Sequence, residues 1–440
     1  MKPTGTGLRL VVLAALLLGI ISPIAAGLIQ TGRAAFGLMP VVGAHGSGLE
    51  VWRSLCALPG FWTSVRLTLW IGFAATFLSL TLATCFCATA HARMIGRSAA
   101  RWLAPLLAAP HTAVAIGLAF VLAPSGWIAR LLAPFVGWVR PPDLALINDP
   151  WGIALILGLM IKEIPFLLLV MLAALSQIPV QQHMAAARGL GYRRSVVWVK
   201  IIAPQVWPLI RLPVLVVLAY SLSTVEMGII LGPSNPPVFS VFVMRLFMAP
   251  DLAMILPASA GALMLAFLMG VASATLFVAE RLVRYTGLWW IRAGGRSSAV
   301  KPLLRIASLC VIALFVIGTL AMVSLVFWSL AWRWPWPSML PETWSFQPWR
   351  NAAGVLGPAL GNTLFIAGAS VFVSLALAIL WLEGEDRKGR GRAGWGEVLI
   401  YLPLLLPQIA FLYGLNMLFL RLGISGGIGA VIWAQVLFVF

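Results

Sequence analysis

Three ionisable residues stand inside apolar runs of the chain. Lys162 and Glu163 are neighbours in the middle of one run and are followed by Pro165. Glu226 lies toward the outer end of another, ahead of Gly228, Gly232 and the breaker run Pro233-Ser234-Asn235-Pro236-Pro237. An ionisable side chain at the centre of a bilayer costs about 2.5 kcal/mol or more unless it is paired or hydrated. Each therefore either binds another helix or lines a polar path, and both readings are open for all three. Adjacent helical positions point about 100° apart, so Lys162 and Glu163 face different partners rather than each other. The broken backbone after Glu226 needs water or protein around it, which suits a cavity wall.

A second segment with chemistry in it runs from Ser176 to Pro204. It reads Ile178-Pro179, then Ala185-Ala186-Ala187-Arg188-Gly189-Leu190-Gly191-Tyr192, then Ile201-Ile202-Ala203-Pro204. Three alanines and an arginine favour helix; Gly191 can take the positive φ that ends it, and Arg193 to Ile202 can start another. The expectation is two short helices with a glycine elbow. Small residues on the first would let a partner's backbone come close, while Tyr192, Arg193, Arg194 and Trp198 offer aromatic and arginine anchors.

Other chemistry is missing from the pattern. No G-x-x-x-x-G-K-[ST] phosphate loop occurs, so no ATPase is encoded and any energy must come from another subunit or an ion gradient. His45, His91, His111 and His183 are scattered and do not suggest a metal site. Cys56, Cys85, Cys87 and Cys310 fit neither a CxxC site nor a disulfide framework and read as apolar filler. No residue is assigned a catalytic role, and no cofactor is expected in the chain.

The elements that must position these residues are set by composition. The chain has 440 residues, 61% hydrophobic and 10% charged, with a mean hydropathy of +1.00. A soluble enzyme is excluded, since globular chains carry about 25% charged residues. Thirty Lys+Arg against 12 Asp+Glu give +18, but these charges sit in short loops between apolar runs, which points to anionic lipid and topology rather than to nucleic acid. With about 20 apolar residues per crossing, helical spans are expected near 10–30, 64–90, 102–123, 151–175, 206–232, 252–279, 304–330, 360–382, 397–420 and 425–440. The first is read as an uncleaved span despite its basic start. This is an all-α polytopic membrane protein.

Alternate loops collect the basic residues: Arg93, Arg97 and Arg101; Arg188, Arg193, Arg194 and Lys200; Arg281 to Arg305; and Arg387, Lys388, Arg390 and Arg392. The opposite loops carry theirs singly, together with Trp332, Trp334, Trp336, Trp344 and Trp349, a candidate interfacial belt. The N-terminus is therefore expected on the cytoplasmic side. Thr68-Leu69 and Ser79-Leu80-Thr81-Leu82-Ala83 recur at a constant offset as Thr363-Leu364 and Ser374-Leu375-Ala376-Leu377-Ala378. Downstream, Leu106 to Pro110 answers to Leu404 to Pro407. The expectation is a tandem parallel repeat: a six-span first copy over 1–279, a basic linker over 280–301, and a second copy over 302–440 that stops inside its fourth span.

The segment around Gly191 resembles the cytoplasmic loop of the permease subunits of binding-protein-dependent ABC importers. The pattern there is Glu-Ala-Ala, three residues, Gly, nine residues, Ile, one residue, Leu-Pro. Ala186, Ala187, Gly191, Ile201 and Pro204 fall on it; Ala185 stands where the family has an acid, and Ala203 where it has Leu. Asn362-Thr363-Leu364 through Ala378 is similar to the start of the family's core domain, and the two-copy layout resembles the fused permeases of iron(III) and thiamine importers. The resemblance implies the type I importer fold and a translocation path through the membrane, with Lys162, Glu163 and Glu226 as candidate path residues. It implies that Ala185 to Tyr192, with Ile201 and Pro204, docks a cytoplasmic ABC ATPase dimer that binds the ATP. It also implies a periplasmic or extracellular substrate-binding protein and a place in the inner membrane. The alternative is a major-facilitator-type secondary transporter driven by an ion gradient, since Gly384 to Arg392 resembles a loop of that family. The 29 residues from Ser176 to Pro204 have no purpose in that scheme.

Overall fold

In the computed structural model the chain is mostly helical, and the described residues are 5–46, 48–94, 97–144, 146–292, 294–295, 300–386, 403, 406–424 and 426–439. In chain order the helices are α1 (Gly5–Leu16), α2 (Ser22–Ala35), α3 (Glu50–Ala57), α4 (Phe61–Met94), α5 (Arg97–Ala108), α6 (His111–Leu122), α7 (Trp127–Val136), α8 (Ile153–Leu175) and α9 (Val180–Gly189). They continue as α10 (Arg194–Val197), α11 (Ala203–Ser223), α12 (Glu226–Leu231), α13 (Phe239–Phe247), α14 (Ile255–Arg292), α15 (Val300–Leu330), α16 (Gln347–Asp386), α17 (Gln408–Arg421) and α18 (Ile428–Val439). A short antiparallel ribbon, β1 (Ala331–Arg333) with β2 (Thr343–Trp344), follows α15.

Among the described residues, 8 helices are long and apolar enough to cross a membrane, and Gln408–Leu420 and Ile428–Leu437 are shorter apolar helices. Each of the expected runs overlaps one of these. Of the boundaries that differ, three have a local cause. The run 102–123 is broken at Pro110, because a proline disfavours helix in the residue before it. The run 206–232 stops at Ser223 and restarts as α12 at Glu226. The expected linker 280–301 is helical through Arg292, since no proline interrupts that stretch and the first left-handed glycine is Gly294 (φ +69°). The basic stretch Arg387 to Arg392, most of the Gly384 to Arg392 loop, and Leu404 and Leu405 lie outside the described residues.

The helices gather into two compact units, one of 1–61, 243–269 and 346–440, the other of 62–242 and 270–345. Each unit draws on segments from both sides of 280–301. In the first unit α2 crosses α17 at Gly27 and Gly414, where a Cβ on either glycine would run into the other helix's backbone. Small residues let membrane helices approach this closely. Ile20, Ile24, Phe411, Leu415 and Phe419 fill the seam. A π-helical turn at Leu17–Ile21 joins α1 to α2, and the Trp433 indole donates to the Gly19 carbonyl there at 2.7 Å.

The second unit is built on α8, the most enclosed of the long apolar helices. Asp149 caps its start, accepting from the amides of Ile153 (2.8 Å) and Ala154 (3.0 Å). Helices α5, α6, α11, α12 and α15 pack around it. Near the ribbon, Arg130 of α7 is buried and donates to the carbonyls of Ser125 (2.8 Å), Pro335 (2.7 Å) and Ser338 (2.6 Å). Its guanidinium lies 4.9 Å from the Trp334 ring centre and 5.5 Å from that of Trp336. The expected aromatic belt is thus split: Trp334 and Trp336 turn inward onto Arg130, while Trp332 and Trp344 stay exposed. On the ribbon itself, Arg333 pairs with Glu342 at 3.4 Å with both side chains exposed.

Helices α6 and α15 meet at Gly117, where an added Cβ would collide with the Ala321 carbonyl, and Ser324 Oγ donates to the Gly117 carbonyl at 3.1 Å. Gly117→Leu is expected to cost on the order of 1–3 kcal/mol. Thermal unfolding of the purified chain in detergent reads this directly, and an unchanged midpoint would contradict the close approach.

Candidate functional site

The elbow forms where the sequence places it. Helix α9 ends in a paired cap: the Tyr192 amide donates to the Ala187 carbonyl at 3.1 Å and the Gly191 amide to that of Arg188 at 2.9 Å. That cap requires a left-handed residue between them, and Gly191 supplies it at φ +84°. The chain then re-enters helix at Arg194 and passes through a π-helical turn, Trp198–Ile202, before α11. In this turn the Ala203 amide bonds the Trp198 carbonyl, one residue further back than in an α-helix, and Pro204 has no amide to offer the Lys200 carbonyl.

Val180 and Ala187 hold α9 against the bundle, while Ala185, Ala186, Arg188, Gly189, Leu190 and Gly191 are exposed. Tyr192 and Ile201 are half-buried, and Arg193, Arg194 and Pro204 are exposed. The face offered outward is small and basic. From Ser176 to Pro204 there is no aspartate or glutamate. One expected anchor is corrected: Trp198 is only 4% exposed and belongs to the core.

Within the membrane runs, Lys162 and Glu163 are both buried and face different helices, as their 100° separation requires. Lys162 Nζ donates to the carbonyls of Leu106 (2.7 Å), Leu107 (3.1 Å) and Ala109 (2.7 Å), which lie at the end of α5 beside the break at Pro110. Glu163 accepts from Ser79 Oγ of α4 at 3.0 Å and from Ser221 Oγ of α11, and Thr76 Oγ1 lies 3.5 Å from Ser221 Oγ. Their bonding is spent inside the bundle, which is the pairing reading for both. Ser79 belongs to the repeated Ser-Leu-x-Leu-Ala motif, and Ser374 at the matching place is buried as well.

Glu226 is different. It opens α12, its side chain is exposed, and Oε2 accepts from Thr112 Oγ1 at 2.6 Å. The His111 ring lies 4.6 Å from the Tyr220 ring, and Thr224 Oγ1 is 3.5 Å from the Tyr220 hydroxyl. His111, one of the scattered histidines, thus joins Thr112, Tyr220 and Glu226 in one polar group at the start of α6. Its position directly after Pro110 was the available signal. Among the described residues no three His, Cys, Asp or Glu side chains gather as a metal site.

No family model matches the chain. The chain is 29% identical over 335 residues, 76% of its length, to the inner membrane ABC transporter permease protein YnjC of Escherichia coli strain K12. It spans 57% of that relative's length.

Lys162→Met leaves three carbonyls without a donor in an apolar setting, at about 1–3 kcal/mol for each group not rescued by water. The expected result is a sharply reduced yield of folded protein by size-exclusion chromatography. Equal yield and thermal midpoint would show that the α5 end does not depend on the ammonium.

Proposed function

We propose that the chain is the membrane-embedded permease subunit of an ATP-driven ABC importer. The observation that carries this is the exposed helix α9 with its Gly191 elbow, set between α8 and α11 with Ala186, Ala187, Gly191, Ile201 and Pro204 at the family's spacing. Similarity to an inner membrane ABC transporter permease supports the same reading. The subunit is of the fused iron(III)/thiamine type, with tandem parallel halves of six-span design and a cytoplasmic N-terminus. A cytoplasmic ATPase dimer binds and hydrolyses ATP, an external binding protein delivers the solute, and the chain itself carries no catalytic residue.

In this reading the loop passes ATPase closure to α8 and α11 as a rigid-body shift, giving alternating access. Its exposed arginines and lack of acids fit a docking groove with an acidic rim, so the ATPase contact is held by shape and by Arg188, Arg193 and Arg194 rather than by a carboxylate at Ala185. The group formed by His111, Thr112, Tyr220 and Glu226 lines the path, and Lys162 and Glu163 hold the helices that frame it.

The test is ATP-driven uptake in proteoliposomes holding the chain, its ATPase and its binding protein. Gly191→Val forces a β-branched residue into a left-handed conformation; hydrolysis is expected to lose its link to uptake, with transport down at least about tenfold, which is the rate equivalent of about 1.4 kcal/mol. Glu226→Gln should lower uptake while leaving ATPase binding intact. Uptake driven by a proton gradient without ATP would overturn the assignment.

A further inference from the structure

We propose that Lys200 latches the docking segment to the C-terminal end of α14, so that the loop around Gly191 and the connection between the sequence halves move as one piece. The proposal rests on the importer reading for its consequence, not for its geometry. Lys200 lies in the π-helical turn Trp198–Ile202 and is 7% exposed. Its ammonium donates to the Gly295 carbonyl at 3.0 Å and the Trp290 carbonyl at 3.3 Å, and sits 4.5 Å from the centre of the Trp290 ring.

Three arguments make this a mechanical joint rather than a filled gap. The last four carbonyls of a helix have no partner within it, and the Trp290 carbonyl is one of these in α14. A cation is also favoured there by the helix dipole. Second, no carboxylate among the described residues forms an ion pair with Lys200, so its positive charge is held by the helix end and the indole. Third, the neighbouring residues grip the next helix: Val196 and Val197 of α10 are buried, and α10 packs on α15. Docking helix α9 packs in turn on α10 and on the π turn. A push on α9 therefore reaches α14 through Lys200 and α15 through α10. Lys200 stands in the middle of the π turn, on the side that meets the end of α14.

The experiment uses the purified full chain in lipid nanodiscs and compares wild type, Lys200→Met and Lys200→Arg by hydrogen exchange. Methionine keeps an apolar stem but has no donor, so a space-filling role would leave exchange unchanged. The latch predicts that amides across 288–295 exchange about tenfold faster in Lys200→Met, as expected for losing charge-assisted bonds at a helix end. Lys200→Arg should restore protection, and exchange across 153–175 should not move. Unchanged exchange at 288–295 in Lys200→Met would overturn the latch. Should that variant fail to fold, Trp290→Leu removes the ring under the ammonium and should speed exchange in the same segment by about twofold to fivefold; no change there would overturn the proposal equally.

With ATPase and binding protein added, ATP hydrolysed per solute carried should rise at least about threefold in Lys200→Met while the ATPase still binds. Faster exchange with an unchanged ratio would overturn the transmission of force. A wild-type chain that neither binds nor responds to an ABC ATPase would overturn the importer reading and leave the exchange result standing.

Discussion

A lysine ammonium bonded to three backbone carbonyls governs the interior of the second unit. Backbone polar groups in hydrocarbon must find partners within the protein, so a helix cannot simply stop there. At Pro110 one does stop, and the freed carbonyls of Leu106, Leu107 and Ala109 converge on Lys162. This contact makes the break tolerable, and the break lets α6 begin afresh with His111 and Thr112 beside Glu226. One residue further round α8, Glu163 gathers hydroxyls from α4 and α11. Helix α8 thus fixes its neighbours through adjacent residues of opposite charge that never pair with each other.

Lys200 repeats the device at another helix end. At the first the acceptors are freed by the break at Pro110, and at the second by the end of α14. In both, a lysine meets carbonyls rather than a carboxylate. A long stem with a three-donor head suits this, because it reaches across a helix–helix gap and serves several acceptors at once.

Much of this architecture was legible in the residues. Apolar length alone located every long helix, and the alanine run followed by Gly191 announced the elbow, since both depend on neighbours in sequence. The misreadings arise where the cause is distant or indirect. Trp198 looked like a surface anchor because its neighbours are basic, yet it packs among distant apolar residues of the core. That Glu280 to Arg292 continues α14 was hidden by its arginines, yet charge does not end a helix and nothing else in that stretch does. The partners of Lys162 lie more than fifty residues away and are backbone atoms, which leave no mark on the sequence. His111 showed no periodic pattern that would tie it to Tyr220. Each compact unit takes segments from both ends of the chain, because packing follows contact in space rather than order along the sequence.

The clasp around Arg130 differs in kind from the pair formed by Arg333 and Glu342 on the same ribbon. Every acceptor of Arg130 is a neutral carbonyl or an indole face, and the group is buried. Dissolved ions screen attraction between exposed charges but have little purchase on such an arrangement. Raising the ionic strength therefore weakens the outer edge of the ribbon at Arg333 while its root on α7 keeps its grip. The loop's attachment and its tip answer to different features of the surrounding solution.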